Sequence, residues 1–327
     1  MKKTILNHTM KFFRTTGLIV LMASAFVACK DDDTEPLPQD NQNNANKVAF
    51  EATDAPLDNV EVYGAFVTVS EIWVDGNRVE GYNKTTFELS ALTNGKTEMM
   101  KEFDLDASSM NEVIFKLDYD KDAKGNTPGT YILKADGSKD MMKSTTNEIK
   151  INKNFDLNSS GTNTIVFDFD LRKMVREESN GDYELVSTAD LNASIRAVLK
   201  TKSGNVMGEV DDKNNNLEDK TIIYLYKTGD YDAEEMNGNG RTTIAFQNAK
   251  NSVVVDAQGN FQLSYISDEG EYELYIFTYD DDDNNGTFEI SGMAQLLIDG
   301  NTSFNGSELS GGVDLELKLS LETILPL

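Results

Sequence analysis

The chain holds one histidine, His8, and one cysteine, Cys29, both near its N-terminus. From Lys30 onward there is no imidazole and no thiol. That excludes from this part histidine-dependent catalytic triads, thiol nucleophiles, zinc sites of the His/Cys kind and disulfides. Neither a Gly-x-Ser-x-Gly elbow nor a Gly-x-x-x-x-Gly-Lys-Ser/Thr phosphate loop occurs. Positive charge is scarce as well: 30 Lys and Arg stand against 56 Asp and Glu, for a formal net charge of −26. No nucleic acid is expected as a partner, because its binding rests on basic surface that displaces counterions from phosphate. No apolar run reaches the roughly 20 residues of a membrane-spanning helix. Carboxylate chemistry and oxygen-ligated cations stay open.

The apolar run Gly17 to Ala28 follows Lys2, Lys3, Lys11 and Arg14, with no acid before it. A basic segment, a short apolar core and a small residue, in that order, are expected of a cleaved secretory signal over residues 1–28. Cys29, directly after Ala28, resembles the cysteine of the bacterial lipobox, which receives diacylglycerol and becomes the new N-terminus. Phe26 departs from the leucine commonest three residues before that cysteine. The resemblance implies a membrane attachment through an N-terminal lipid carrying more than one acyl chain, as stable anchoring requires. Lys30, Asp31, Asp32 and Asp33 then resemble the export signal of Bacteroidetes-type lipoproteins. That likeness implies the outer membrane, facing the extracellular side; a merely solvated charge run is the alternative. Loss of residues 1–28 removes four positive charges and takes the net charge from −26 to −30. Residues 29–46 are polar, carry two of the five prolines and show no apolar periodicity, so they are expected to be the lipidated cysteine and a disordered acidic tether.

Beyond Val48 the pattern has period two, the mark of strands with one buried face. Val113, Phe115, Leu117 and Tyr119 share a face in one run, and Ile165, Phe167, Phe169 and Leu171 in another, with Asp168 and Asp170 turned outward. Leu191, Ala193, Ile195, Ala197 and Leu199 continue the alternation, and Val313, Leu315, Leu317, Leu319 and Leu321 close the chain with it. Only residues 171–178 and 232–236 suggest short helices. Turn dipeptides recur between the runs: Asp75-Gly76, Asn94-Gly95, Asp136-Gly137, Asn180-Gly181 and Asn285-Gly286 among them. The expected fold class is all-β, as antiparallel sandwiches. A boundary at Lys202–Asn205 predicts two such domains, 47–202 and 203–327, with one larger sandwich as the alternative.

Two stretches carry a family likeness. Residues 48–74, with their Thr53-Asp54-Ala55-Pro56 turn, and residues 165–198 resemble the opening and closing segments of the bacterial domain-of-unknown-function 4382 (DUF4382) family. The resemblance implies a secreted or lipid-anchored β-sandwich with no assigned activity. Residues 203–327 are similar to transthyretin-like, carboxypeptidase-regulatory-like modules through Val255-Asp256, Gly259, Phe261 and the run from Gly270 to Leu274. Such modules are accessory sandwiches.

The loop at residues 279–289 is the most suggestive for chemistry. Asp281, Asp283 and Asn285, ahead of Gly286, match the first half of an oxygen-ligand calcium loop. Gly292 stands where a bidentate glutamate belongs, so Glu289 would have to substitute in another geometry. Calcium is thus the one candidate cofactor, and a solvated acidic hairpin tip is the alternative. Asp118, Asp120 and Asp122 form a weaker series, with Ala123 at the glycine position, and residues 211–216 a weaker one still. Trp73 is expected inside the first sandwich rather than as an exposed sugar platform. Asp54 is expected to cap local backbone rather than to act as an acid or base.

No catalytic residue is identified. The expected role is a non-catalytic, surface-exposed outer-membrane lipoprotein serving as a binding, adhesive or accessory module for a glycan or protein ligand. The alternative is a carboxylate-only hydrolase of glycosidase type, whose acid pair would stand about 5 to 9 Å apart.

Overall fold

Alternating side chains become strands because a pleated backbone sends successive residues to opposite faces. The computed structural model describes residues 45–55, 62–177, 181–211, 220–237, 245–267, 270–280, 289–298, 300–309, 313–320 and 325–326. In chain order the principal strands up to residue 199 are β1 (Asn46–Ala55), β2 (Val62–Val74), β3 (Glu98–Leu105), β4 (Ser109–Leu117), β5 (Glu148–Asp156), β6 (Thr162–Asp170) and β7 (Ile195–Leu199). Those that follow are β8 (Gly204–Asp211), β9 (Lys220–Lys227), β10 (Asn251–Val254), β11 (Asn260–Ile266), β12 (Glu271–Asp280), β13 (Glu289–Gln295) and β14 (Leu315–Ser320).

The first half is a sandwich. One sheet runs β7-β6-β1-β3; the other is centred on β2 and β4, with β5 and the Tyr131–Lys134 and Lys139–Met141 strands at its flanks. Phe50 on β1 meets Phe167 on β6 edge to face at 4.9 Å, and Phe167 meets Phe115 of the facing sheet at 4.8 Å. These three rings tie both sheets to one core. Aromatic pairs of this geometry add about 0.5–1.5 kcal/mol to their area burial.

The second half stacks β11-β8-β14 against β10-β9-β12-β13. Val206, Leu263, Leu317 and Leu319 face Ile223, Leu225, Leu274 and Ile276 across its core. The reverse face of the β9–β12 sheet is buried too: Ile222, Tyr224, Tyr226 and Phe277 pack under Phe246 and Ala249. Burial on both faces explains why residues 221–226 read as a continuous run, with no alternation.

The sheets are not wholly antiparallel. The strand that opens each half pairs in parallel with one from much later in it: β1 with β6, and β8 with β14. Gly208 allows the second pairing, since a Cβ there would strike the carbonyl of Leu317.

Several local expectations change. Leu191 and Ala193 belong to a helix, α2 (Thr188–Ala193), preceded by α1 (Leu171–Met174), so the alternation begins only at Ile195. Ser187 caps α2, its hydroxyl accepting from the Asp190 amide at 3.3 Å, and this Ser-x-x-Asp signature outweighs the alternating pattern. Val313 lies before β14 and is exposed. Trp73 stays out of the core. It shares β2 with buried Ile72 and Val74 but faces the other way, donating from its indole to Glu71 at 2.9 Å, with Lys116 4.7 Å over its ring.

Phe167→Ala should destabilise the protein by about 3–5 kcal/mol. A urea titration would show this as a lower midpoint at unchanged slope.

Candidate functional site

Of the residues singled out by sequence, Cys29, Lys30, Asp31, Asp32, Asp33, Asp281, Asp283 and Asn285 lie outside the described residues. Glu289 opens β13, exposed and in register with Asp280 of β12. Among the described residues no three His, Cys, Asp or Glu gather as a metal site. Asp118 and Asp122 are occupied by their own loop. Asp118 accepts from the amides of Asp120 and Lys121 and pairs with Lys84 at 2.9 Å. Asp122 accepts from the amides of Lys124 and Asn126 and from the Asn126 side chain, which holds its carboxyl below the usual range.

The main concentration of charge was not singled out from sequence. β6 turns Ile165, Phe167 and Phe169 into the first core, which sends Asp168 and Asp170 to the reverse face, as the alternation requires. Both aspartates are nevertheless buried, at 4% and 6% exposure, because the second half covers that face. Antiparallel register sets Arg196 of β7 opposite Asp168, and the pair closes at 2.6 Å. The same guanidinium continues across to the carbonyls of Ser264 and Tyr265 on β11. Arg172, at the start of α1, pairs with Asp170 at 2.8 Å and donates to the carbonyls of Ala245 and Phe246. Lys173 donates to the Ala249 carbonyl at 2.6 Å and lies 3.5 Å from Asp170. Tyr265 returns the contact, its hydroxyl donating to the carbonyl of Gly95 at 2.9 Å.

Thr53 and Asp54 join this junction over long range, not as a local cap. The Thr53 hydroxyl bonds to the carbonyls of Leu92 and Lys96, and Asp54 accepts the amide of Leu171 at 3.2 Å. Burial pushes the Asp168 carboxyl above its ordinary range, opposed by the Arg196 charge. Desolvation lowers Lys173 from 10.5 to about 8, with Asp170 opposing. Charge-assisted bonds of this kind are roughly twice as strong as neutral ones. Three acids (Asp54, Asp168, Asp170) and three bases (Arg172, Lys173, Arg196) leave the junction without net charge. Its chemistry is cohesion: the Asp168 and Asp170 carboxylates are buried, and the guanidiniums that hold them also donate to backbone carbonyls.

An open groove of about 420 Å³ lies beside the junction, on the outer face of the β11-β8-β14 sheet. Glu209, Asp256 and Glu316 line it with Asn260 and Gln262, and Asn94 reaches in from the first half. Asn94 and Gly95 both hold positive φ, 56° and 73°, which the expected tight turn requires, and Tyr265 fastens that turn to the second half. Asp256 is tied up by its own hairpin, accepting from the amides of Gln258 and Asn260. The groove offers carboxylate acceptors and amide groups with no Lys or Arg in its lining, a surface suited to hydrogen bonding.

Residues 45–187 match the model of a family described as domain of unknown function, DUF4382. The match takes in the whole of the 48–74 stretch and ends within the second, before β7. No curated protein matches the chain. Among solved structures, the Bacillus anthracis TIE protein aligns over 84% of this chain and 34% of its own, at 12% identity and a TM-score of 0.18. This chain thus spans about a third of that protein. The shaft pilin SpaA from Lactobacillus rhamnosus GG aligns over 85% of this chain and 100% of its own, at 9% identity and a TM-score of 0.22. A candidate cell adhesion protein from Bacteroides fragilis aligns over 84% and 93%, at 9% identity and a TM-score of 0.21.

Arg196→Met should destabilise the protein by about 3–5 kcal/mol, because it strands Asp168 in the interior. Adding Asp168→Leu should restore most of that loss in a denaturant titration, since an apolar pair replaces an orphaned charge. Lys173 gives a separate signature. Between pH 8 and 10.5 the unfolded chain keeps the Lys173 proton that the folded chain has released, so its contribution to stability rises with pH. Below pH 8 both states are protonated and the contribution is flat. Melting curves of Lys173→Met should lack that rise when compared with the parent protein.

Proposed function

We propose that the chain is a non-catalytic outer-membrane lipoprotein, anchored through Cys29 and presented to the extracellular side as a binding or adhesive module. In this reading residues 203–327 form a transthyretin-like accessory sandwich docked on the DUF4382-type half. The observation that carries it is the junction. Its buried carboxylates are matched by guanidinium and ammonium groups that reach across to the other half, which fixes two sandwiches in one arrangement. Beside the junction lies an open polar groove. A rigid body with an exposed hydrogen-bonding groove is suited to holding a ligand away from a membrane. Glu209, Glu316, Asn260 and Gln262 are the side chains that would meet a glycan or a polar peptide there.

A carboxylate-only hydrolase needs two facing acids with room for a sugar ring between them. The buried acids Asp168 and Asp170 are instead held by Arg196 and Arg172. The cavity beside Asp168 measures about 10 Å³, far below a sugar ring.

Palmitate labelling in a Bacteroidetes-type host should mark the parent protein and not Cys29→Ser, and external protease should remove the labelled protein from intact cells. On a glycan and protein-partner screen, Glu209→Lys combined with Glu316→Lys should weaken ligand retention at least about tenfold. Its melting temperature should stay that of the parent. Turnover of a polysaccharide by the purified protein would refute the non-catalytic reading.

A further inference from the structure

Where the two halves meet, a buried carboxylate oxygen from one and a buried hydroxyl from the other have no hydrogen-bond partner among the described residues. Asp168 commits Oδ2 to Arg196, while its Oδ1 has no hydrogen-bond partner among the described residues. Across the junction, the Ser252 hydroxyl on β10 is likewise unpartnered. Both residues are 4% exposed, and both line one cavity of about 10 Å³. Buried polar atoms in folded proteins are nearly always satisfied, so two orphans on opposite walls of one cavity require a common partner.

We propose that this cavity binds a single water molecule, which bridges Asp168 of the first half to Ser252 of the second. The volume matches, since a space of about 10–15 Å³ accessible to a water-sized probe holds one water. The chemistry selects water as well. A carboxylate oxygen only accepts, so the occupant must donate to it, which excludes a halide. Asp168 is paired with Arg196, while a second carboxylate, Asp54, also lines the cavity and accepts the Leu171 amide, so sodium is the competing occupant that the salt arms of the test separate from water. Several other polar groups around the cavity are engaged. The Asn251 amide donates to the Ser264 carbonyl and accepts from the Ser252 amide; Gln262 donates to the Ser264 hydroxyl; Thr53 and Tyr265 are bonded to the carbonyls of Leu92, Lys96 and Gly95. Water can donate to the Asp168 carboxylate oxygen while accepting from or donating to the Ser252 hydroxyl. The two halves are thus joined through solvent as well as through guanidinium groups. This holds whether or not Cys29 is lipidated or the groove binds a ligand.

The test is the melting temperature of the full-length protein and its Ser252→Ala variant, each in sodium chloride and in choline chloride, with a crystal structure of the parent. The expected result is a fall of about 2–4 °C for Ser252→Ala in both salts. The crystal should show one density peak at roughly 2.6–3.2 Å from Asp168 Oδ1 and from the Ser252 hydroxyl. An unchanged melting temperature, or no peak, would overturn the proposal. So would a fall seen only in sodium chloride, or an anomalous signal at the peak after rubidium soaking, either of which would make the occupant an ion.

Discussion

The reverse face of β6 carries carboxylates where an outer sheet face would ordinarily meet water, and much of the molecule's organisation follows from how those charges are met. Asp168 and Asp170 cannot be covered by apolar side chains without a large desolvation penalty. They are covered instead by Arg196 and Arg172, whose remaining donors reach backbone carbonyls of the second half. A guanidinium suits this task because its planar fork serves a carboxylate and a carbonyl together. The result is an interface with little tolerance for sliding: a shift of a few ångströms would strand several buried charges at once. Such pairs add little net stability over an apolar contact of the same shape, and their contribution lies in setting register.

The all-β architecture was readable from the alternation, because period two survives wherever a strand has one wet face. Val113, Phe115 and Leu117, or Ile165, Phe167 and Phe169, announce themselves in this way. The junction was not readable. An aspartate between two phenylalanines looks the same in sequence whether its face meets solvent or a second sandwich. Opposite charges at matching strand positions, Asp168 with Arg196, were the available hint, but only the register discloses that they are opposite. Helix α2 was missed for a related reason. Leu191, Ala193 and Ile195 satisfy a strand pattern by spacing alone, while the cap at Ser187 decides the local backbone.

Acidity in this protein does two kinds of work. At loop tips Asp118, Asp122 and Asp256 satisfy backbone amides of their own turns, which is why so many tight connections begin with an acid. In the interior, Asp168 and Asp170 pair with arginines, while Glu235 accepts from Tyr226 and Asn248 and Glu273 from the Gly229 amide and Gln295. Between these classes lies the groove, where Glu209 and Glu316 stand beside amide side chains without a neighbouring base in the lining. Its setting differs from that of both other groups.

The parallel pairing of β8 with β14 has a consequence for how the chain reaches this state. Residues 206–211 find their partner only at 315–320. The opening strand cannot complete its sheet until residues 315–320 have been made, and a contact of such sequence separation is slow to form. Until then one edge of β8 stands bare in a growing polypeptide. Vectorial synthesis therefore leaves the second half waiting for β14, a period in which a chaperone or a neighbouring chain has access to a surface that the folded molecule hides.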